Sequence, residues 1–316
     1  KLHLARTRQG KLHVDVYALE DNGSAIKLAS AETILTGGSR SQKLTPFFLD
    51  EKTVAWATDI SQSQTYYPYE YLRTDMMVAD AFYPNPYQNY GSATVEAHAF
   101  TFEENLAQST LTHETNASIT LSGNVRWSEP FLLNDRILYG SSVTRHLYDS
   151  KHTWRIVSSD VNASLHGFDL SNPENLTTIP PASLPGLLVG LHAPDGDSEE
   201  AYLFAESKDT AIDYYRPMPV ILEDDSGKKQ SSPDSRRYGR SLAACAYDGS
   251  FAYYLDELDL SDTWGPLAVA KGNVFIGKSS SKPKGLDGYR INEEGLFAKT
   301  SNLFAEENLS ALATDG

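Results

Sequence analysis

Apolar and polar residues alternate in short runs along most of this chain, which is the period of half-buried β-strands, and the runs stop at turn-forming residues. The clearest is Leu165-His166-Gly167-Phe168-Asp169-Leu170, ended by Ser171-Asn172-Pro173. Its pattern returns in Asp15-Val16-Tyr17-Ala18-Leu19, His98-Ala99-Phe100-Thr101-Phe102, Asp213-Tyr214-Tyr215-Arg216-Pro217 and Asp287-Gly288-Tyr289-Arg290-Ile291. In each copy Asp or His stands two residues before an aromatic ring, and four of the five carry a large apolar residue two positions after it; Pro217 breaks that rule.

A second unit is a hairpin of two short apolar strands. It reads Pro46-Phe47-Phe48-Leu49, a turn at Asp50-Glu51-Lys52, then Val54-Ala55-Trp56-Ala57. It recurs around Asn134-Asp135-Arg136 and Lys271-Gly272-Asn273, and more loosely between Leu187-Leu188-Val189-Gly190 and Tyr202-Leu203-Phe204-Ala205. These hairpins predict the two inner strands of a blade, with the aromatic repeat as its third strand.

The aromatic positions 17, 100, 168, 215 and 289 are separated by 83, 68, 47 and 74 residues, spacings that suit four-stranded propeller blades with insertions better than solenoid repeats. The predicted fold is therefore all-β, a propeller of four-stranded antiparallel blades in one domain over residues 1–316. Five blades are favoured, with six or seven open if some are degenerate or missing. A further apparent hairpin at 241–256 lies too close to that at 267 to form a blade of its own. The terminal run Ser310-Ala311-Leu312-Ala313-Thr314, placed before Leu2-His3-Leu4, would complete a blade shared by the two ends and close the ring. The start at Lys1 without Met implies either a removed leader or an excerpt of a longer polypeptide. Insertions are expected at 61–93 and 223–240, the latter a polar loop.

Composition adds limits. The net charge of −15 argues against nucleic acid and anionic membrane surfaces as partners and favours cationic ones. No apolar run approaches the length of a membrane span and no signal peptide is visible. The single cysteine, Cys245, sits among apolar neighbours as a core residue rather than a nucleophile. Oligomeric state leaves no mark on the sequence.

Candidate chemistry is sparse. Tyr66, Tyr67, Tyr69, Tyr71, Tyr83, Tyr87 and Tyr90 crowd the first insertion, and such rings suit a protein or carbohydrate partner. Asp195, Asp197 and Glu199 gather hard oxygens in an acidic turn where Ca2+ is the candidate ion; no other cofactor is expected. The eight histidines show no tight metal spacing, and His98 and His166 share the repeat column of Asp15, Asp213 and Asp287, which predicts hydrogen-bonding partners within blades. Glu129, Asp135, Asp50 and Asp315 lie near the first strands, where sugar-hydrolysing propellers carry their carboxylates, although the three aspartates read as turn formers. Five Asn-x-Ser/Thr triplets add little in an Asn/Ser/Thr-rich chain.

The run from Leu165 through Ser171-Asn172-Pro173-Glu174-Asn175-Leu176 resembles the repeat of exported bacterial β-propellers, with Leu176 in place of the usual second proline. The resemblance implies the fold, export to the periplasm, cell surface or medium, and binding or scaffolding without catalysis. It brings no catalytic motif, since function on this fold is set by loops. A carbohydrate-active hydrolase with carboxylates at the propeller axis is the alternative, and a metal-dependent oxidoreductase a third class.

Overall fold

The computed structural model describes residues 1–36, 41–62, 92–104, 108–148, 156–194, 200–208, 221–223, 229–231, 240–260, 263, 265–278 and 284–304. Among them every regular element is a strand. The first sheet holds β1 (Leu2–Arg8), β2 (Lys11–Leu19) and β3 (Ala25–Ile34). The second runs β4 (Ser41–Phe48), β5 (Thr53–Gln62), β6 (Ser92–Glu104), β7 (Ser109–Ser122) in spatial order. The third has β8 (Asn124–Trp127) and β9 (Phe131–Leu133) both on β10 (Arg136–Tyr148), followed outward by β11 (Ile156–Asp169) and β12 (Thr177–Leu184). The fourth orders β13 (Leu187–His192) and β14 (Ala201–Lys208) beside β17 (Arg240–Tyr247) and β18 (Ala252–Asp259); β15 (Ile221–Glu223) and β16 (Lys229–Ser231) form a separate ribbon. The fifth holds β19 (Leu267–Ala270), β20 (Asn273–Lys278), β21 (Gly285–Ile291) and β22 (Phe297–Phe304). All pairings are antiparallel, most of them between chain neighbours, and successive sheets pack face to face, so the chain is a β-propeller.

Local chemistry explains the strands. At Gln9-Gly10 and Lys271-Gly272 both central residues have positive φ, the turn that matches strand twist in a two-residue hairpin. Asp50 Oδ1 accepts from the Lys52 and Thr53 amides at 2.6 and 2.7 Å, so it is a turn former as its sequence context predicts. Inner strands alternate into two buried faces, and four cores follow. Leu12, Val14 and Val16 meet Val54, Trp56 and Phe100 between the first and second sheets. Ala55, Ala57 and Ala97 meet Ile137, Tyr139 and Phe168 between the second and third. Leu138 and Leu165 meet Leu188 and Leu203 next, and Phe204, Leu242 and Ala244 meet Val274 and Ile276 last. Fourth strands are largely exposed, as in β7, whose Thr and Ser residues alternate outward.

Register assigns the repeat. Tyr17, Phe100, Phe168 and Tyr289 all lie on third strands, opposite Leu2, Val54, Ile137 and Val274. Asp213-Tyr214-Tyr215 lies outside the described residues, and the third strand of the fourth sheet is instead β17, with Tyr247 opposite Ala201. The hairpin expected at 241–256 thus supplies the third and fourth strands of that blade rather than a separate unit. The marker is lost because Cys245, opposite Leu203, takes the place of the polar residue. Arg240, expected at the end of a loop, begins β17. It is buried, donating to Glu206 Oε1 at 2.6 Å and to the Thr263 and Gly265 carbonyls. The run 310–316, on which ring closure was expected to depend, lies outside the described residues.

Candidate functional site

Two residues before the aromatic ring the third strands of four sheets carry a polar side chain, met from the second strand, two residues beyond the directly opposed position, by Arg6, Ser141 or Lys278, from the fourth strand by Lys27 or Lys299, and for His98 from its own strand by Glu96. Asp15 meets Lys27 Nζ at 2.6 Å and Arg6 Nη2 at 3.7 Å, while Asp287 meets Lys278 and Lys299 at 2.8 and 3.0 Å. His166 Nε2 sits 2.9 Å from Ser141 Oγ, and in the second sheet His98 Nε2 pairs with Glu96 Oε2 at 2.9 Å. The expectation of blade-internal hydrogen bonding in this column therefore holds. The Ser141–His166 distance is that of a nucleophile and its base, but both groups are buried beneath Trp127, in the position that ion pairs fill in other blades. Glu96 and His98 are fully enclosed between the first and second sheets, where Thr36 also donates to Glu96 at 2.5 Å. These groups tie strands together.

A different set lies between the second and third blades. Burial raises the Asp59 carboxyl above the ordinary carboxylate range, and its Oδ1 has no hydrogen-bond partner among the described residues. The hydroxyl of buried Tyr139 is pushed up by burial and by the nearby Asp59 charge. Register sets Asp59 opposite Lys43 on the first strand β4, close enough for the two side chains to share one face. Lys43 reaches across to the next blade and binds Glu129 Oε1 at 2.5 Å.

The sequence explains why Glu129 stands free of the sheet. Ser128-Glu129-Pro130 interrupts the first strand of the third blade between β8 and β9, since proline has no N–H to add to the ladder. Ser128 bridges the gap by donating its amide to the Gly140 carbonyl at 2.8 Å and accepting from the Gly140 amide at 2.7 Å. The flanking strands leave Glu129 directed outward, with its side chain 75% exposed and that of Lys43 53% exposed. First strands are also where neighbouring blades crowd: a Cβ on Gly190 of β13 would lie 2.5 Å from the Cβ of Val269 on β19. The arrangement offers a carboxyl that burial pushes up, a buried phenol, an ammonium group and an exposed carboxylate between two blades.

Of the residues singled out from sequence, Tyr66, Tyr67, Tyr69, Tyr71, Tyr83, Tyr87 and Tyr90 lie outside the described residues, as do Asp195, Asp197 and Glu199 and the carboxylate Asp315. Glu129 is joined to the site, and Asp50 is excluded as a turn former. Asp59 and Lys43 were missed. Their signal, an Asp and a Lys at cross-strand positions of one predicted hairpin, is too common to stand out. Among the described residues no group of three or more His, Cys, Asp or Glu side chains could hold a metal ion. Cys245 is buried, and burial pushes its thiol up to about 11, against a nucleophilic role.

No protein-family model matches the chain, and no curated protein matches it. Solved structures resemble it at low identity. A mutant apocarotenoid oxygenase from Synechocystis is 10% identical with a TM-score of 0.38, covering 96% of this chain and 59% of its own. The cobalt-substituted form of that oxygenase gives the same figures, 10% and 0.38. An acylaminoacyl peptidase from Pyrococcus horikoshii is 9% identical with a TM-score of 0.37, over 84% of this chain and 33% of its own. The chain thus spans 59% of the length of the oxygenases it matches, and likeness at this level speaks to fold alone. The expectation of a binding or scaffolding module without catalysis finds no support in these names, which are those of enzymes, and it is set aside; the hydrolase alternative is taken up below.

Proposed function

We propose that the chain is a hydrolase acting on glycosidic bonds, with Asp59 and Glu129 as its working carboxyl groups. The observation that carries this reading is Asp59: burial holds its carboxyl toward the protonated form and its Oδ1 lacks a partner, the condition of a group that donates a proton to a leaving oxygen. Glu129 supplies the second carboxyl that this chemistry needs, exposed to solvent and positioned by Lys43. Water would add across the glycosidic C–O bond. Asp59 gives its proton to the departing oxygen, Glu129 takes one from the attacking water, and exchange with solvent returns both groups to their starting states.

The test is a panel of chromogenic glycosides and oligosaccharides offered to the purified chain. Asp59→Asn and Glu129→Gln should each lower kcat by about 10²–10⁴ with little change in thermal midpoint. The alkaline limb of the kcat/KM profile reports loss of the Asp59 proton and should vanish in Asp59→Asn. Absence of glycoside cleavage by the unmodified chain, or full activity in both variants, would refute the assignment. Export belongs to the same proposal, since it would bring the enzyme to glycans outside the cytoplasm; fractionation of the producing cell tests it.

A further inference from the structure

Each described fourth strand is an edge, and edges invite another strand unless something discourages it. The chain discourages it differently in different blades. β12 carries Pro180 and Pro181, β7 presents Thr and Ser, β3 mixes Lys27 with Glu32, and β22 carries Lys299. The edge of the fourth sheet differs. β18 and the turn before it expose Phe251, Tyr253 and Tyr254 at 63%, 53% and 57%, more aromatic surface than any other described edge shows. From Ser241 to Ala270 the sequence has no Lys or Arg, while Asp248, Asp256, Glu257 and Asp259 all fall there.

The rings are held in place. Tyr253 donates to Asp248 Oδ2 at 3.1 Å and Tyr254 to Glu257 Oε2 at 3.2 Å, while Phe251 and Tyr253 lie side by side with centroids 6.5 Å apart. Asp248 is itself fixed by the Ser250 and Phe251 amides at 2.9 and 2.7 Å, and these donors, with Tyr253, keep its carboxyl below the usual range and hence charged. Fixed aromatic faces beside carboxylates are complementary to lysine and arginine side chains, which gain from the ring quadrupole and from the negative charge together. Rings already ordered by hydrogen bonds also lose less entropy on binding.

We propose that the outer edge of β18 docks an extended, Lys/Arg-bearing segment of a partner protein, whose cations lie over Phe251 and Tyr253 and whose backbone adds to the edge, unpaired among the described residues. Edge addition supplies main-chain hydrogen bonds, and the aromatic and acidic side chains select for positive charge. This surface involves none of Asp59, Lys43 or Glu129, so it stands apart from the hydrolase assignment.

The probe is a fluorescein-labelled decapeptide of alternating Lys and Val, measured by anisotropy against the full chain and compared with alternating Glu and Val and with cellohexaose. The double variant Phe251→Ser with Tyr253→Ser leaves net charge untouched, and its peptide affinity should fall about tenfold or more. Tyr253→Phe keeps the ring and should retain affinity. Equal affinity in the double variant would reduce the interaction to general attraction by an acidic body and overturn the proposal. Comparable binding of the Glu-Val peptide, or displacement of the Lys-Val peptide by cellohexaose, would overturn it as well, the second by assigning the rings to sugar.

Discussion

Asp287 shows how single side chains hold a blade together. Burial alone would push its carboxyl up, but Lys278 and Lys299 outweigh that and leave it below the usual range. A carboxyl with a depressed folded pKa contributes stability above its unfolded value near 4, and that stability is lost as pH falls through the folded pKa. Asp287→Asn should therefore cost about 2 kcal/mol in urea unfolding at pH 7 and progressively less below pH 4. A pH-independent difference would place the effect in packing. The histidines act in the opposite pH range. Burial lowers His3, His113, His166 and His192, so the unfolded chain takes up protons first as pH drops below about 6.5. Stability should decline between pH 7 and pH 5, measured as a falling urea midpoint, and His166→Gln should flatten part of that slope.

At the scale of elements, the strands near the inner edge depend on glycine where blades meet. A Cβ on Gly140 of β10 would lie 2.5 Å from Leu188 Cβ and 2.6 Å from Leu188 N, and on Gly190 it would strike Val269. Backbone cannot yield as a side chain can, so Gly140→Ala should destabilise by about 1–3 kcal/mol through overpacking. An exposed turn glycine such as Gly23, which has nothing within 4 Å but sits at φ 82, should cost less and through conformation alone. Thermal midpoints of the two alanine variants separate these causes. Bulges are a second device of the elements: the pairing of third to fourth strand shifts at Val16/Tyr17, Ala99/Phe100 and Gly288/Tyr289, immediately before the aromatic ring of the repeat. The extra residue twists the outer strand beside the ring.

For the whole molecule the governing quantity is charge. A net charge of −15 repels itself, and raising salt shortens the reach of that repulsion from about 30 Å at 0.01 M to about 8 Å at 0.15 M. The thermal midpoint should rise over this range; a fall would mean that the exposed pairs, such as Lys11 with Glu32, dominate instead. Much of the molecule was legible in sequence because blades are local: period-two alternation, turn residues and a polar residue before a ring specify strands, hairpins and third-strand identity through neighbours a few residues apart. The fourth blade was misread where that local marker fails, since apolar Cys245 replaces the polar residue and the third strand begins 32 residues after Lys208, at Arg240. The candidate site was less legible. Glu129 could be suspected from its place by a first strand, but Asp59 gained meaning only from its burial beside Tyr139, and Lys43 only from its reach into the next blade. Sequence by itself determined the strands, the hairpins and the acidic character, because these depend on residue type and spacing. The tertiary structure decided which carboxyl is desolvated, which charges meet across blades and which edge strand shows aromatic rings to solvent, because burial and contact between distant segments exist only once the sheets have packed.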